Sequence, residues 1–220
     1  MRLEGERLAV VETARHMAAR QLVVNTSGNV SVRAGAWLAI TPSAMPYERM
    51  QPQDVCLVDI ASGAPEPGSR LPSSELPLHL AVYRDTAAGA VVHTHSHFAT
   101  VLSTIEDHLP PIHYDIGDLG GDVPVAPYAT FGSDELAAST SRYLRDRNAV
   151  LMRNHGVTTV ADDLPRALAR AFTVEWIASV YWHARVLGTP SLIAPDELDR
   201  VAATHARLRA LRERRVGEGE

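Results

Sequence analysis

The chain contains no lysine; all 21 of its Lys and Arg positions are arginine. Imine chemistry needs a primary amine that can lose its proton, and a guanidinium cannot supply one. A protein of this composition that acts on a carbonyl compound must activate it through a metal instead. Cysteine is nearly absent too. The single Cys56 excludes an internal disulfide, and its setting in Val55-Cys56-Leu57-Val58 is that of a small buried hydrophobe. Positive charge is in deficit, with a net charge of -5, which gives no basis for nucleic acid or an anionic membrane as a partner. No apolar run reaches the ~20 residues of a bilayer span. Arg2, Glu4, Glu6 and Arg7 interrupt the stretch where a signal peptide would be apolar, so a cytoplasmic protein is the expectation.

What is present suits one layered domain over 1–215, followed by a flexible polar tail at 216–220. Leu8, Val11, Ala14, Ala18 and Leu22 recur at helical spacing and predict an amphipathic helix over 5–22. Short strands are expected at 29–33, 37–41 and 55–60, separated by turns rich in Gly, Pro and Ser. A helix should begin near Glu75, since Pro77 is tolerated only in a first turn. A buried strand over 90–95 and a helix over 97–104 follow. A loop rich in Pro, Gly and Asp covers 110–132 and includes a short strand at 123–126. Helices are expected at 133–146, 165–187 and 196–214, with a strand at 149–152. The expected fold class is α/β, a central mixed and mostly antiparallel sheet flanked by helices.

Three histidines stand out. His93 and His95 close the apolar run Ala90-Val91-Val92, and residues two apart on a strand point the same way. A second run, Ala149-Val150-Leu151-Met152, ends in Arg153-Asn154-His155-Gly156 and offers a third imidazole. Three neutral imidazoles with a fourth position open is a catalytic zinc arrangement. His97 falls in the turn after the strand and is a weaker candidate. A lone histidine at a strand end is ordinarily a hydrogen-bonding residue, so the argument rests on the three together.

Pro72-Ser73-Ser74-Glu75 can be read as a helix cap, the serines accepting backbone N–H bonds and Glu75 lying near the positive helix end. It can also be read as an anion cradle beside a proton-carrying carboxylate. His79 shares the helical face of Glu75 and is expected to pack or hydrogen-bond there, with a ligand role as the alternative. Thr26-Ser27-Gly28-Asn29 and Thr41-Pro42-Ser43-Ala44 are further turns in which backbone amides can converge on an anion. Three such turns with one histidine site suggest a small phosphorylated substrate.

In this order the segments resemble the class II (zinc-dependent) aldolase family. The resemblance runs from the first helix to about Leu187. Ile112-His113-Tyr114 and Ala126-Pro127-Tyr128-Ala129-Thr130-Phe131-Gly132 look specifically like its fuculose-phosphate aldolase branch. It implies that His93, His95 and His155 hold one Zn²⁺ per subunit. Glu75 is then the acid/base and an alternative fourth ligand without substrate. Thr26, Gly28, Asn29, Ser43, Ser73 and Ser74 occupy phosphate-binding positions. Tyr114 matches a tyrosine that protonates the aldehyde oxygen from a neighbouring subunit of a cyclic homotetramer. The implied reaction is cleavage of a ketose 1-phosphate into dihydroxyacetone phosphate and an aldehyde. Ala44, also at the phosphate turn, replaces a glycine common in this branch, and Leu208 stands about where the tail carries a tyrosine. The same fold also serves sugar-phosphate dehydratases of the methylthioribulose-1-phosphate type, decarboxylases, epimerases and the non-catalytic adducin head. Glu75 favours an aldolase or a dehydratase over the epimerases, which commonly have aspartate there.

Overall fold

The structure, a computed structural model, describes residues 1–217, with backbone alone at 205, 209, 210 and 212–217. Its strands are β1 (Asn29–Ala34), β2 (Trp37–Ile40), β3 (Cys56–Asp59), β4 (Ala90–Thr94), β5 (His108–Leu109), β6 (Val123–Ala126), β7 (Ala149–Met152) and β8 (Gly156–Ala161). Its helices are α1 (Glu4–Ala19), α2 (Leu76–Asp85), α3 (His97–Ile105), α4 (Asp134–Tyr143), α5 (Leu164–Leu187) and α6 (Pro195–Gly217). The strands form one sheet in the order β3-β2-β1-β4-β8-β7-β6-β5. Only β6 and β7 pair in parallel. The sheet is therefore mixed and mostly antiparallel, as the sequence leads one to expect.

Alternation along the strands divides the core into two faces. On β4, Val91 packs with Leu78, Val82 and Tyr83 of α2 and Leu136 of α4. Ala90 and Val92 turn the other way, toward Val10, Ala14 and Met17 of α1 and Ala167 of α5. Farther along that second face, α3 and α5 cover Leu151 and Val157 with Ala99, Leu102, Val174 and Ile177. Each fully buried Val, Leu, Ile or Met among them contributes about 1.5–3 kcal/mol. The result is a sheet between two helical layers.

Helix starts are fixed locally in two cases and at long range in a third. Ser133 accepts from the Leu136 N–H at the head of α4, and Asp163 accepts from the Arg166 N–H at the head of α5. α3 has no side-chain cap of its own. The Glu175 carboxylate of α5 reaches across instead and accepts from the N–H groups of Phe98 and Ala99, both at 2.9 Å. This tie holds α3 immediately after the histidine strand.

Several boundaries differ from the expected ones. β8 follows His155 directly and forms a hairpin with β7, although 156–161 carries no polar–apolar alternation. All six of its residues are buried. Its threonines are tolerated because Thr159 donates to the carbonyl of Ala167 and Thr158 lies within 3.4 Å of His93 Nδ1. Within the expected loop, 110–132, Tyr114–Leu119 forms short 3-10 turns that bury Ile116 and Leu119. α6 runs to Gly217, so the tail expected at 216–220 starts inside the helix, and its last three positions lie outside the described residues.

Candidate metal centre and anion pocket

β4 carries His93 toward α2, two residues on from Val91 and on the same face. There it meets Glu75, the residue that opens α2, with Nε2 and Oε2 3.1 Å apart. His95, just past the strand end, brings its Nε2 to 3.0 Å from that of His93. His155 arrives from the turn between β7 and β8, its Nε2 3.5 Å from Glu75 Oε1. The three rings stand edge to face, with centroids 4.8–4.9 Å apart. One donor atom from each of the four residues lies within 4.8 Å of all the others.

These separations suit a small tetrahedral cation. Ligand atoms about 2.05 Å from a common centre stand about 3.3 Å apart, within the spread observed. His93 Nδ1 donates to the carbonyl of Val157 at 3.0 Å, which leaves Nε2 as the lone-pair atom facing the cluster. Glu75 Oε1 is buried and has no hydrogen-bond partner, which is costly unless a cation or substrate group meets it. The donor set and the orphaned oxygen both fit a divalent transition metal.

Electrostatics within the metal-free cluster are coupled. Burial raises the Glu75 pKa, but the His93 charge and hydrogen bond, then His155 and Asn29, hold it well below the usual carboxylate range. Burial lowers the His93 pKa, while Glu75 and the Val157 carbonyl more than compensate and raise it. Burial, and then the charge of His93, push His95 down to about 3 and His155 down to about 4. Glu75 and His93 thus favour each other's charged forms. A metal held by neutral imidazoles would compete with protons for them.

Beside the cluster lies a cavity of about 180 Å³ lined by Thr26, Gly28, Asn29, Ser43, Ala44, Ser73, Ser74, Glu75, His95 and His155. Every residue expected at a phosphate site therefore reaches this one cavity, and His93 sits buried behind it. Gly28 is required there. Its φ is +75°, and a Cβ would stand 2.8 Å from the carbonyl oxygen of His93. Ala44 also has a left-handed backbone, φ +53°, which costs a residue with a side chain roughly 1–2 kcal/mol. Its methyl group is exposed and contributes little packing. Ala44→Gly is expected to stabilise the free protein by roughly 0.5–1 kcal/mol, after allowing for the freedom glycine gives the unfolded chain. A thermal melt that is unchanged or lower in the glycine variant counts against strain at this turn.

Asn29 reaches the cavity and also makes inward contacts. Its carboxamide is turned inward, donating to Glu75 Oε2 at 2.8 Å and meeting His79 Nε2 at 2.5 Å. Tyr114 is not brought to the cluster within this chain. It lines a separate cleft of about 830 Å³ with Arg166, Arg200 and Leu208. Asp118, paired with Arg166 at 2.8 Å and Arg170 at 3.0 Å, pins the Tyr114 segment to α5. Two contributors escaped sequence reasoning. Phe131 lines the small cavity, and the Tyr47 hydroxyl donates to the carbonyls of Gly28 and Ser27, clamping that turn. Phe131 lies inside the motif Ala126–Gly132, which was the available signal; for Tyr47 there was none.

This fold and donor cluster define a class II aldolase. The chain belongs to the class II aldolase and adducin N-terminal domain family, whose model matches residues 8–182. It is 37% identical over 199 residues to an L-fuculose phosphate aldolase of Escherichia coli strain K12, covering 89% of this chain and 92% of that one. A 5-deoxy-D-ribulose 1-phosphate aldolase of Bacillus thuringiensis serovar kurstaki is 36% identical over 205 residues, covering 92% and 96%. A solved L-fuculose 1-phosphate aldolase superposes with a TM-score of 0.89 at 33% identity, covering 92% of this chain and 96% of its own. No described helix is long and apolar enough to cross a membrane.

Proposed function

We propose that the protein is a zinc-dependent aldolase that reversibly cleaves a ketose 1-phosphate into dihydroxyacetone phosphate and a short aldehyde. The observation that carries this reading is the contact between two features. A buried cluster of three imidazoles and a carboxylate opens onto a cavity walled by hydroxyls and turn backbone. The aldolases named above act on different sugars that share the phosphorylated three-carbon half, which is the half this cavity suits.

His93, His95 and His155 would hold the zinc ion, with Glu75 able to serve as the fourth donor when no substrate is present. When bound, zinc supplies Lewis acidity toward a carbonyl oxygen and its neighbouring hydroxyl. The protein's own residues do the rest. Thr26, Gly28, Asn29, Ser43, Ala44, Ser73 and Ser74 bind the phosphate and fix the reacting carbons relative to Glu75. Glu75, which lines the cavity, accepts and returns the proton at the carbon beside the carbonyl. With no lysine in the chain, an imine route has no side-chain amine to use. Tyr114 lies in a cleft of its own, and we assign it to the aldehyde oxygen of a partner subunit's site in a cyclic homotetramer.

The test is a panel of ketose 1-phosphates, including L-fuculose 1-phosphate and 5-deoxyribulose 1-phosphate, with enzymatic detection of dihydroxyacetone phosphate. Release of that product is expected, abolished by a chelator and restored by zinc. Water loss or CO₂ release without dihydroxyacetone phosphate would assign the site to a dehydratase or decarboxylase instead.

A further inference from the structure

A row of buried polar side chains leads away from Glu75 between α2 and β1. Glu75, His79 and Tyr83 lie four residues apart and form one stripe of the helix. Asn29 and Ser31 lie two apart on the facing side of β1. Four residues of helix rise about 6 Å and two of strand about 6.6 Å, so the two rows interleave. The contacts follow that order. Asn29 Nδ2 is 2.8 Å from Glu75 Oε2, and Asn29 Oδ1 is 2.5 Å from His79 Nε2. Ser31 Oγ is 2.6 Å from His79 Nδ1 and 2.8 Å from the Tyr83 hydroxyl. All four residues beyond Glu75 are buried.

The direction of every bond is set from one end. An ionised carboxylate only accepts, so Asn29 must present its NH₂ to Glu75 and its oxygen to His79. His79 must then carry its proton on Nε2, which makes Nδ1 an acceptor. Ser31 donates to Nδ1, and Tyr83 donates to Ser31. Burial, then the nearby charge of His93, keep the His79 ring neutral and hold its pKa at about 3. A polar row of this kind costs desolvation that an apolar helix–sheet contact, such as Leu78 and Val82 make nearby, does not.

We propose that His79 is a positioning residue for proton transfer. Its Nε2–H locks the Asn29 carboxamide, and Asn29 in turn holds Glu75 Oε2 and so fixes the carboxylate beside the cavity. Without that donor the amide is free to turn over and set its oxygen against the carboxylate. The inference rests on the proton-carrying role of Glu75 proposed above.

The test uses zinc-loaded protein and the exchange of dihydroxyacetone phosphate C–H hydrogens in D₂O, followed by NMR. His79→Leu is expected to bind zinc stoichiometrically and saturate at the same substrate concentration, yet exchange roughly 30- to 100-fold more slowly. His79→Gln, which keeps a donor at the ε position, is expected within about 5-fold of the parent protein. Long-range ¹H–¹⁵N correlation should show His79 as the neutral Nε2–H tautomer. Parent-like exchange in His79→Leu, beside an inactive Glu75→Gln, overturns the inference and leaves the Glu75 reading standing. Parent-like exchange in Glu75→Gln sinks both. Loss of zinc from His79→Leu, or an Nδ1–H tautomer in the parent, also overturns it. If His79→Leu does not fold, Ser31→Ala decides the matter. It should give mixed His79 tautomers and exchange about 2- to 10-fold slower, and a pure Nε2–H form at the parent rate refutes the proposal.

Discussion

His95→Ala is expected to fold, to lose stoichiometric metal and to lose activity almost completely. The imidazole is one of three that face a common centre, and the other two nitrogens and Glu75 cannot close the gap it leaves. Loss of a residue that only supports a ligand typically costs about 10- to 100-fold in metal affinity, so loss of the ligand itself should exceed that. Three measurements check this. Metal content after dialysis should fall from one equivalent per chain to near zero. Release of dihydroxyacetone phosphate should fall by about 10³-fold or more, since the electrophile is gone. Thermal stability gives the third. Metal present at 100 times its dissociation constant stabilises a protein by about 2.7 kcal/mol, or roughly 5–10 °C for a chain of this size. The parent should show that rise on adding zinc, and His95→Ala should not. A variant that retains metal and turnover removes His95 from the centre.

Glu75→Gln separates proton transfer from metal binding. The amide is nearly isosteric, and the three imidazoles remain to hold the metal. Metal content should stay at one equivalent, while turnover falls by the ~10²- to 10⁴-fold typical of a lost general acid or base. Asn29 donates to Glu75 Oε2, so a glutamine must present its oxygen there and its NH₂ in place of Oε1. The position of Oε1 is then taken by a group that cannot accept a proton. Loss of metal together with activity would instead make Glu75 chiefly a ligand.

The histidine centre was readable in the sequence because its chemistry is written locally. Two imidazoles at strand spacing must share a face, and an Asn-His-Gly turn after a second buried run brings a third to the same end. The alternation that places Val91 and His93 toward α2 is the same periodicity that marks β4 as a strand. β8 was not legible for the opposite reason. It runs through the middle of the sheet with both faces buried, so its sequence carries no alternation, and its threonines find partners on other elements. The inward turn of Asn29 was equally hidden, because it depends on Glu75 and His79, residues 46 and 50 positions away. Tyr114 was placed by resemblance alone. The short 3-10 turns that carry it are held by Asp118 against two arginines of α5, a contact no local pattern announces.

Gly156, the first residue of β8, approaches the last residue of β4 so closely that an added Cβ would lie 2.2 Å from the carbonyl oxygen of Thr94. The neighbours of these two residues are His155 and His95. The distance between the segments that carry these two imidazoles is therefore gauged by main chain touching main chain, with no side chain in between. A single methyl group at position 156 would force these main chains apart, and His95 and His155 with them.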